Sequence, residues 1–150
     1  MEAQAIRRLI VLALVALLAG CYARGMSFDE APRPAPDQAV VYFYRVPGSF
    51  ASMVTVAIFI DGKRVGSLGQ EGFTWVRVEP GRHEFGATFA SFQSGPPSLR
   101  INGTLRGGDQ VYLRLYTEPI PGGTRIGMRP MARAEAEAEM KTYKYEKPSE

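Results

Sequence analysis

Apolar and polar residues alternate along much of this chain, most clearly over residues 58–85. Alternation with a period of two residues is typical of a β-strand with one buried face. Asp61-Gly62 interrupts the pattern with residues that suit a tight hairpin turn, and Pro80-Gly81 suits a turn with glycine at its third position. The segment therefore predicts a β-meander that presents an apolar face.

Further strands are predicted on both sides of this meander. Residues 39–46 are rich in β-branched and aromatic side chains, which favour strands. Leu99, Ile101 and Leu105 share one face of a later strand, while polar residues occupy the other face. The predicted strands are residues 39–46, 54–60, 63–68, 73–78, 82–89, 99–106, 110–117 and 124–128.

Seven or eight short strands separated by turns predict an all-β fold, a small antiparallel β-sandwich or barrel, of which we take the sandwich. The 16 glycines and 11 prolines agree with a chain that turns often. We expect residues 73–78 and 82–89 to form a second hairpin. The core is expected to be filled by Phe59, Trp75, Phe85 and Leu113.

Residues 132–143 differ from the rest because alanine and glutamate dominate them. Both residues form helices better than strands. Arg133 and Glu137, like Glu137 and Lys141, stand four positions apart, which is the spacing of stabilising ion pairs on a helix. The segment predicts a short C-terminal helix.

The N-terminus has the features of a secretory signal. Arg7 and Arg8 precede an apolar run over residues 9–18, and small residues follow it. The run is about half as long as the roughly 20 residues that a transmembrane helix needs. The chain's one cysteine, Cys21, comes directly after this segment, so no intrachain disulfide can form.

Leu18, Ala19, Gly20 and Cys21 resemble the bacterial lipobox. The resemblance implies that Leu18, Ala19 and Gly20 are recognised by the signal peptidase and that cleavage exposes Cys21 for acylation with palmitate-like chains. Two or three acyl chains anchor a protein far more firmly than one. Tyr22, rather than aspartate, follows the cysteine, which by analogy favours the outer membrane, facing the periplasm. An ordinary signal peptide with an incidental free thiol is the alternative.

Four regions follow from these features. Residues 1–20 are the expected lipoprotein signal peptide with its signal helix, and residues 21–38 are an acylated cysteine followed by a proline-rich tether. The tether would reach about 50 Å if fully extended. Residues 39–145 form the β-sandwich domain, and residues 146–150 are a disordered tail.

Charge and single residues exclude several functions. The net charge is +3 and the basic residues form no runs, so we expect no nucleic-acid partner. His83 is the one histidine, so a zinc site and hence a metal cofactor are not expected. A structural role is predicted for His83, with its ring closing one end of the core and bonding a neighbouring backbone group. Catalysis would need a cleft that brings a carboxylate and a hydroxyl to this ring.

Several segments together resemble a known family. VVYFYR, IFIDGKRVGSL, GFTW and VEPGRHEF, behind a lipobox, are similar to an uncharacterised family of bacterial lipoproteins, domain of unknown function 2846. The sequence DGKRVG followed by PGRH is also similar to the PEGA-type module of cell-envelope proteins. The resemblance covers residues 39–144. It implies a β-sandwich in the cell envelope and assigns no substrate.

One set of outward residues has the composition of a contact surface, in which tyrosine rings bury area and arginines bind acidic groups. These residues share a face if residues 99–106 and 110–117 pair around Gly107-Gly108. In the alternative, the C-terminal helix or the tether covers that face and buries Tyr112 and Tyr116 beneath Met140 or Tyr143. The predicted contact residues are Arg100, Arg106, Tyr112, Arg114 and Tyr116.

The sequence thus predicts a lipid-anchored envelope protein whose β-sandwich is a non-catalytic binding or structural module. Its expected partners are the membrane, through Cys21, and an envelope protein or peptidoglycan. The alternative function is a glycan- or lipid-binding module with a small-ligand pocket. A deep apolar cavity between the sheets would favour that alternative.

Overall fold

The computed structural model describes residues 28, 31, 33–48, 54–90 and 97–148. The predicted signal peptide, Cys21 and the predicted peptidase recognition residues lie outside the described residues. In the described part of the chain, no helix is long and apolar enough to cross a membrane.

Two sheets packed face to face form a β-sandwich, as predicted, and the described residues add a short helix on its outside. The five-stranded sheet has the order β8-β7-β1-β4-β9, and the four-stranded sheet has the order β3-β2-β5-β6. The elements described are β1 (Ala39–Arg45), β2 (Val56–Ile60), β3 (Lys63–Leu68), β4 (Gly72–Val78), β5 (Gly81–Phe89), β6 (Leu99–Leu105), β7 (Gln110–Ile120), β8 (Gly123–Met131), α1 (Arg133–Met140) and β9 (Lys144–Tyr145).

Two hairpins follow local turn chemistry. Asp61 and Gly62 join β2 to β3 with φ values of 52° and 77°, the positive angles of a tight hairpin turn. Pro121-Gly122 joins β7 to β8, where Ile120 pairs with Gly123. Residues 118–123, which lie between two predicted strands, are therefore mostly strand, and the strand predicted at 124–128 extends to Met131.

The predicted meander is wrong beyond its first hairpin. β4 pairs with β1 in the five-stranded sheet, whereas β3 and β5 belong to the other sheet. The chain thus crosses between the sheets at Pro80-Gly81 instead of reversing within one. β6 and β7 are separated in the same way, so the predicted pairing around Gly107-Gly108 is also wrong.

The burial of β1 explains these crossings. All seven of its residues are buried, so both faces and both edges of β1 must be covered. β4 pairs with one edge and β7 pairs with the other, in parallel. The parallel pairs of β1 with β7 and of β4 with β9 make this sheet mixed rather than wholly antiparallel.

Alternation along β1 divides the buried residues into two layers. Val41 and Phe43 point into the inter-sheet core, which includes Ile58, Phe85 and Leu113. The opposite face of β1 contributes to an aromatic layer on the outside of the five-stranded sheet. This aromatic layer contains Val40, Tyr42, Tyr44, Val46, Phe73, Tyr112, Ala136 and Met140, with Phe28, Trp75, Tyr116, Tyr143 and Tyr145 packed against them.

The predicted core residues divide between these layers. Phe85 and Leu113 lie in the inter-sheet core, as expected. Trp75 packs on the aromatic layer instead, and the half-buried Phe59 lies on the outward side of β2. The expectation for Trp75 and Phe59 is wrong because each alternates with neighbours that face the inter-sheet core, Val76 and Val78 on β4 and Ile58 and Ile60 on β2.

The folded domain extends past both predicted boundaries. The Phe28 ring packs on Tyr42 and Phe73 at centroid distances of 5.6 and 5.9 Å. At the other end, Glu146 accepts the backbone N–H of Gly69 at 2.8 Å. The tether and the tail, predicted as residues 21–38 and 146–150, therefore contribute residues to the fold.

Candidate binding surfaces

Tyr112, Arg114 and Tyr116 lie on the outward face of β7, within or beside the aromatic layer. Tyr112 is only 2% exposed, and its ring stacks on Tyr42 with a centroid distance of 4.9 Å and an interplanar angle of 9°. Its hydroxyl donates to Glu137 Oε1 on α1 at 3.1 Å. Burial and the Glu137 carboxylate both raise the pKa of Tyr112. The helix thus covers Tyr112, as in the predicted alternative of a covered face.

Arg114 helps to bind α1 to the sheet. Its Nε donates to Glu139 Oε2 at 3.0 Å, and the Tyr44 hydroxyl donates to the same oxygen at 2.8 Å. Burial, together with the hydrogen bond to Glu139, raises the pKa of Tyr44. The Arg114 guanidinium binds a carboxylate of α1, so its observed contact stabilises the packing of the helix on the sheet.

Tyr116 covers a glycine on the neighbouring strand. It pairs with Gly127 of β8, and a Cβ added at Gly127 would lie 2.1 Å from Cζ of the ring. Aromatic rings commonly cover strand glycines in this way. The Arg129 guanidinium lies 6.0 Å from the centroid of the same ring, at the edge of cation–π range.

Arg100 and Arg106 lie elsewhere on the molecule. Arg100 is on the outer face of β6 in the four-stranded sheet, where its Nη1 is 3.5 Å from Glu84 Oε1. Arg106 follows β6, and its backbone N–H donates to Asp109 Oδ2 at 2.8 Å. The five predicted contact residues therefore do not share one face, because β6 and β7 belong to different sheets.

His83 connects two turns at one end of the sandwich. Its Nδ1 lies 2.7 Å from Asp61 Oδ2, and its Nε2 lies 2.8 Å from the carbonyl oxygen of Glu79. Both partners are acceptors, so both ring nitrogens must carry protons to satisfy them. The hydrogen bond to Asp61 is the main cause that raises the pKa of His83. The predicted bond to a backbone group is confirmed.

Asp61 receives two hydrogen bonds in this cluster. The backbone N–H of Glu84 donates to its Oδ1 at 2.9 Å, while its Oδ2 faces His83. These bonds, with the backbone bond first, lower the pKa of Asp61. Both nitrogens of His83 are thus engaged in fixing the Asp61-Gly62 turn and the Glu79 loop, which is a structural use of the ring.

Arg45 is a buried cation that the sequence analysis did not single out. It is 1% exposed, and its Nη1 donates to the carbonyl oxygens of Val54 and Leu68 at 2.5 and 3.2 Å. Burial lowers the pKa of Arg45, and the nearby Glu146 carboxylate opposes that shift. Burial also raises the pKa of Glu146. The available signal was the inward alternation of residues 39, 41, 43 and 45 in an otherwise apolar strand.

An apolar cavity of about 240 Å³ lies between the two sheets, where β6 faces β7 and β8. Residues of the inter-sheet core form most of its wall. Of the described residues that line it, none carries a charge. The lining includes Phe85, Ile101, Gly103, Leu105, Leu113 and Pro130.

Metal ligands do not gather in the described part of the chain, where no group of three or more His, Cys, Asp or Glu residues could hold an ion. No protein-family model matches the chain, and comparison with curated proteins finds no match. The resemblance to domain of unknown function 2846 and to the PEGA-type module therefore stays a prediction.

Proposed function

We propose that this chain is a lipid-anchored protein of the bacterial cell envelope, attached through acylated Cys21, whose β-sandwich binds or supports another envelope component without catalysing a reaction. The compartment proposed is the outer membrane, facing the periplasm. The resemblance of residues 18–21 to a lipobox supports the anchor.

The position of Phe28 carries the geometric part of this proposal. Phe28 stands seven positions after Cys21 in the chain and packs into the aromatic layer. Seven extended residues span at most about 25 Å, roughly half the reach expected of the whole tether. An acylated Cys21 would therefore hold the domain close to the membrane, with the aromatic layer on the membrane side.

The outer face of the four-stranded sheet would then point away from the membrane. Arg100 lies on this face with its side chain 47% exposed, beside the one-third exposed Glu84. Asn102 is also exposed on β6, two residues further along. We assign partner contact to this face, because exposed arginine and amide groups there can bind the polar groups of an envelope protein or of peptidoglycan.

The use of the titratable groups supports a role without catalysis. Tyr44 and Tyr112 bind the helix carboxylates, and His83 joins two turns. Glu146 accepts a backbone N–H of the β3–β4 connection. Burial is the main cause that raises the pKa of Tyr44, Tyr112 and Glu146, and the hydrogen bond to Asp61 is the main cause for His83, so each shift has a structural cause.

Replacing Cys21 with serine tests the anchor. We expect the Cys21→Ser chain to leave the membrane fraction during alkaline extraction, and the mature wild-type protein to carry the mass of its acyl chains. Phe28→Ala serves as the control, since it releases the segment from the aromatic layer but keeps the anchor. An unmodified Cys21 sulfur in the mature wild-type protein would contradict the proposal.

Site-specific photo-crosslinking in the native envelope tests the assigned face. A photoreactive residue at position 100 should give a discrete adduct that mass spectrometry identifies as a protein or a peptidoglycan fragment. The same residue at position 135 is the matched control, because Glu135 is exposed on α1, on the opposite side. Identical adducts from both positions would show that the outer face of the four-stranded sheet has no special role.

A further inference from the structure

A glycine interrupts the apolar inner face of β6. Leu99, Ile101 and Leu105 pack toward the inter-sheet core, and alternation puts Gly103 at the remaining inward position. The edge of the Phe85 ring, from the neighbouring strand β5, lies in front of Gly103, and both residues line the cavity between the sheets.

The backbone does not require glycine at this position. Gly103 is not among the residues with a positive φ, so its strand conformation is one that any residue adopts. A Cβ added there would meet Cε2 of Phe85 at 3.2 Å, tighter than most contacts but against the edge of a ring. The effect of Gly103 is therefore spatial, because it makes room for the Phe85 ring, which forms part of the cavity wall.

The size and lining of the cavity indicate what it can hold. Its volume of about 240 Å³ is larger than the roughly 150 Å³ of an apolar cavity that accommodates benzene. The wall is hydrocarbon from Phe85, Ile101, Leu105 and Leu113, with no charged lining residue among those described. A sugar would lose its hydrogen bonds to water there, whereas a hydrocarbon chain would not.

The position of the opening adds a further constraint. β6 is an edge strand of the four-stranded sheet, and β8 is an edge strand of the five-stranded sheet. The cavity lies between these two edges, so it opens at the side of the sandwich. Residues 102–104 line the cavity with β6 at the edge of its sheet, so backbone N–H and C=O groups of this strand edge provide a polar rim around an apolar interior.

We propose that this cavity binds the short aliphatic chain of a small amphiphile, with the polar end of the ligand at the backbone edge of β6. The chain lies beside Gly103 and contacts Phe85, Leu105 and Leu113. This site does not depend on acylation of Cys21, so it stands or fails separately from the proposed anchor.

The test uses the full chain in phosphatidylcholine nanodiscs, with octanoate as the probe and glucose as the polar comparison. Octanoate should shift the methyl NMR signals of Leu105 and Leu113 in a saturable way and leave that of Met140, in the aromatic layer, unchanged. Gly103→Val should weaken the binding about tenfold or more, because its methyl groups push the Phe85 ring toward the cavity and remove the space of about two methylenes of the ligand. Gly103→Ala should give a smaller loss.

Gly123→Val is the matched control. Gly123 lies at the exposed start of β8, has no positive φ, and a Cβ there would meet nothing within 4 Å. It should bind octanoate like the wild type. If Gly103→Val does not fold, the smaller loss of octanoate affinity in Gly103→Ala tests the proposal instead. Absence of a saturable shift, equal affinity in the Gly103 and Gly123 variants, or glucose shifts at the same methyls would overturn the proposal.

Discussion

The inter-sheet core and the aromatic layer cover opposite faces of β1, yet they are stabilised differently. Aliphatic residues and phenylalanines make up the inter-sheet core, where Phe43 and Phe85 pack at a centroid distance of 6.2 Å. Tyrosines dominate the aromatic layer, and two of their hydroxyls bind carboxylates of α1. Apart from the hydrogen bonds of Arg45 at its end, the inter-sheet core depends on burial, whereas the aromatic layer also depends on a set of oriented hydrogen bonds.

The sequence of α1 explains this difference. Ala136 and Met140 are the buried residues of the helix, so it contributes little apolar area of its own. Glu137 and Glu139 instead bind Tyr112, Tyr44 and Arg114 of the sheet. Since an eight-residue helix is unstable in isolation, these contacts must keep it folded. The aromatic layer should therefore open locally, while the inter-sheet core should unfold only with the whole domain.

Phe43→Ala should have the largest effect, because it empties the centre of the inter-sheet core. We expect a loss of about 3–5 kcal/mol in the free energy of unfolding, measured by chemical denaturation. Met140→Ala in the aromatic layer is the comparison, with a smaller loss of about 2 kcal/mol. Hydrogen exchange should rise in both sheets for Phe43→Ala but mainly in α1 and β9 for Met140→Ala. The same exchange pattern in both variants would refute a difference between the layers.

Alkaline pH should have the second-largest effect, by destabilising the aromatic layer. Burial is the main cause that raises the pKa of Tyr42, Tyr44, Tyr112 and Tyr143 in the folded protein. A raised pKa favours the protonated form in the fold, so stability is lost as pH rises above the unfolded value near 10. Each tyrosine that titrates only after unfolding removes about 1.4 kcal/mol per pH unit.

Tyrosinate absorbance and helix circular dichroism, recorded together from pH 9 to 12, measure this effect. We expect both signals to change cooperatively, above the pH at which a free tyrosine titrates. A Tyr112→Phe variant should keep its helix to higher pH, because one group that can ionise is gone. Gradual titration near the free value would mean that the rings are not held as described.

Tyr44→Phe isolates one hydrogen bond of the aromatic layer. Loss of the hydroxyl removes the 2.8 Å bond to Glu139, which keeps its partner Arg114, so we expect a cost of about 0.5–1.5 kcal/mol. Tyr143→Phe is the control, since its ring contact with Tyr44, at 6.2 Å between centroids, is retained. Denaturation of both variants measures the difference. Equal costs would show that the hydroxyl of Tyr44 contributes nothing specific.

The extent to which the sequence could predict these regions follows from the range of the interactions. The β2–β3 hairpin and α1 were predictable, because Asp61-Gly62 and the Arg133–Glu137 pair act locally. The sequence did not predict to which sheet β4 and β6 belong. A turn such as Pro80-Gly81 or Gly107-Gly108 can reverse the chain within one sheet or lead it into the other sheet. The assignment of strands to sheets depends on β1, whose faces and edges must all be covered. The strands that cover it come from the whole domain.

The prediction that the contact residues share one face was wrong for the same reason. Tyr112 and Arg100 alternate correctly on their own strands, and each points outward from its sheet. The outer faces of the two sheets lie on opposite sides of the sandwich. Tyr112 therefore lies beneath α1, whereas Arg100 faces solvent. Gly103 was visible in the sequence as an interruption of an apolar row, but the Phe85 ring in front of it and the cavity beside it depend on β5, β7 and β8 from elsewhere in the chain.

Removing the His83 bridge should have the smallest effect on the free energy of unfolding. The bridge lies beside the inter-sheet core, where the centroids of the His83 and Phe85 rings are 6.4 Å apart. Because the folded-state pKa of His83 is raised, its stabilisation is fully present below the unfolded pKa near 6.5 and is lost as pH rises through the folded value. His83→Gln should therefore flatten the dependence of unfolding free energy on pH from 6 to 8. Asp61→Asn, which keeps the side-chain volume but removes the carboxylate charge, should flatten it similarly. A slope that survives both substitutions would assign the pH dependence to other groups and leave the bridge as a purely geometric link between two turns.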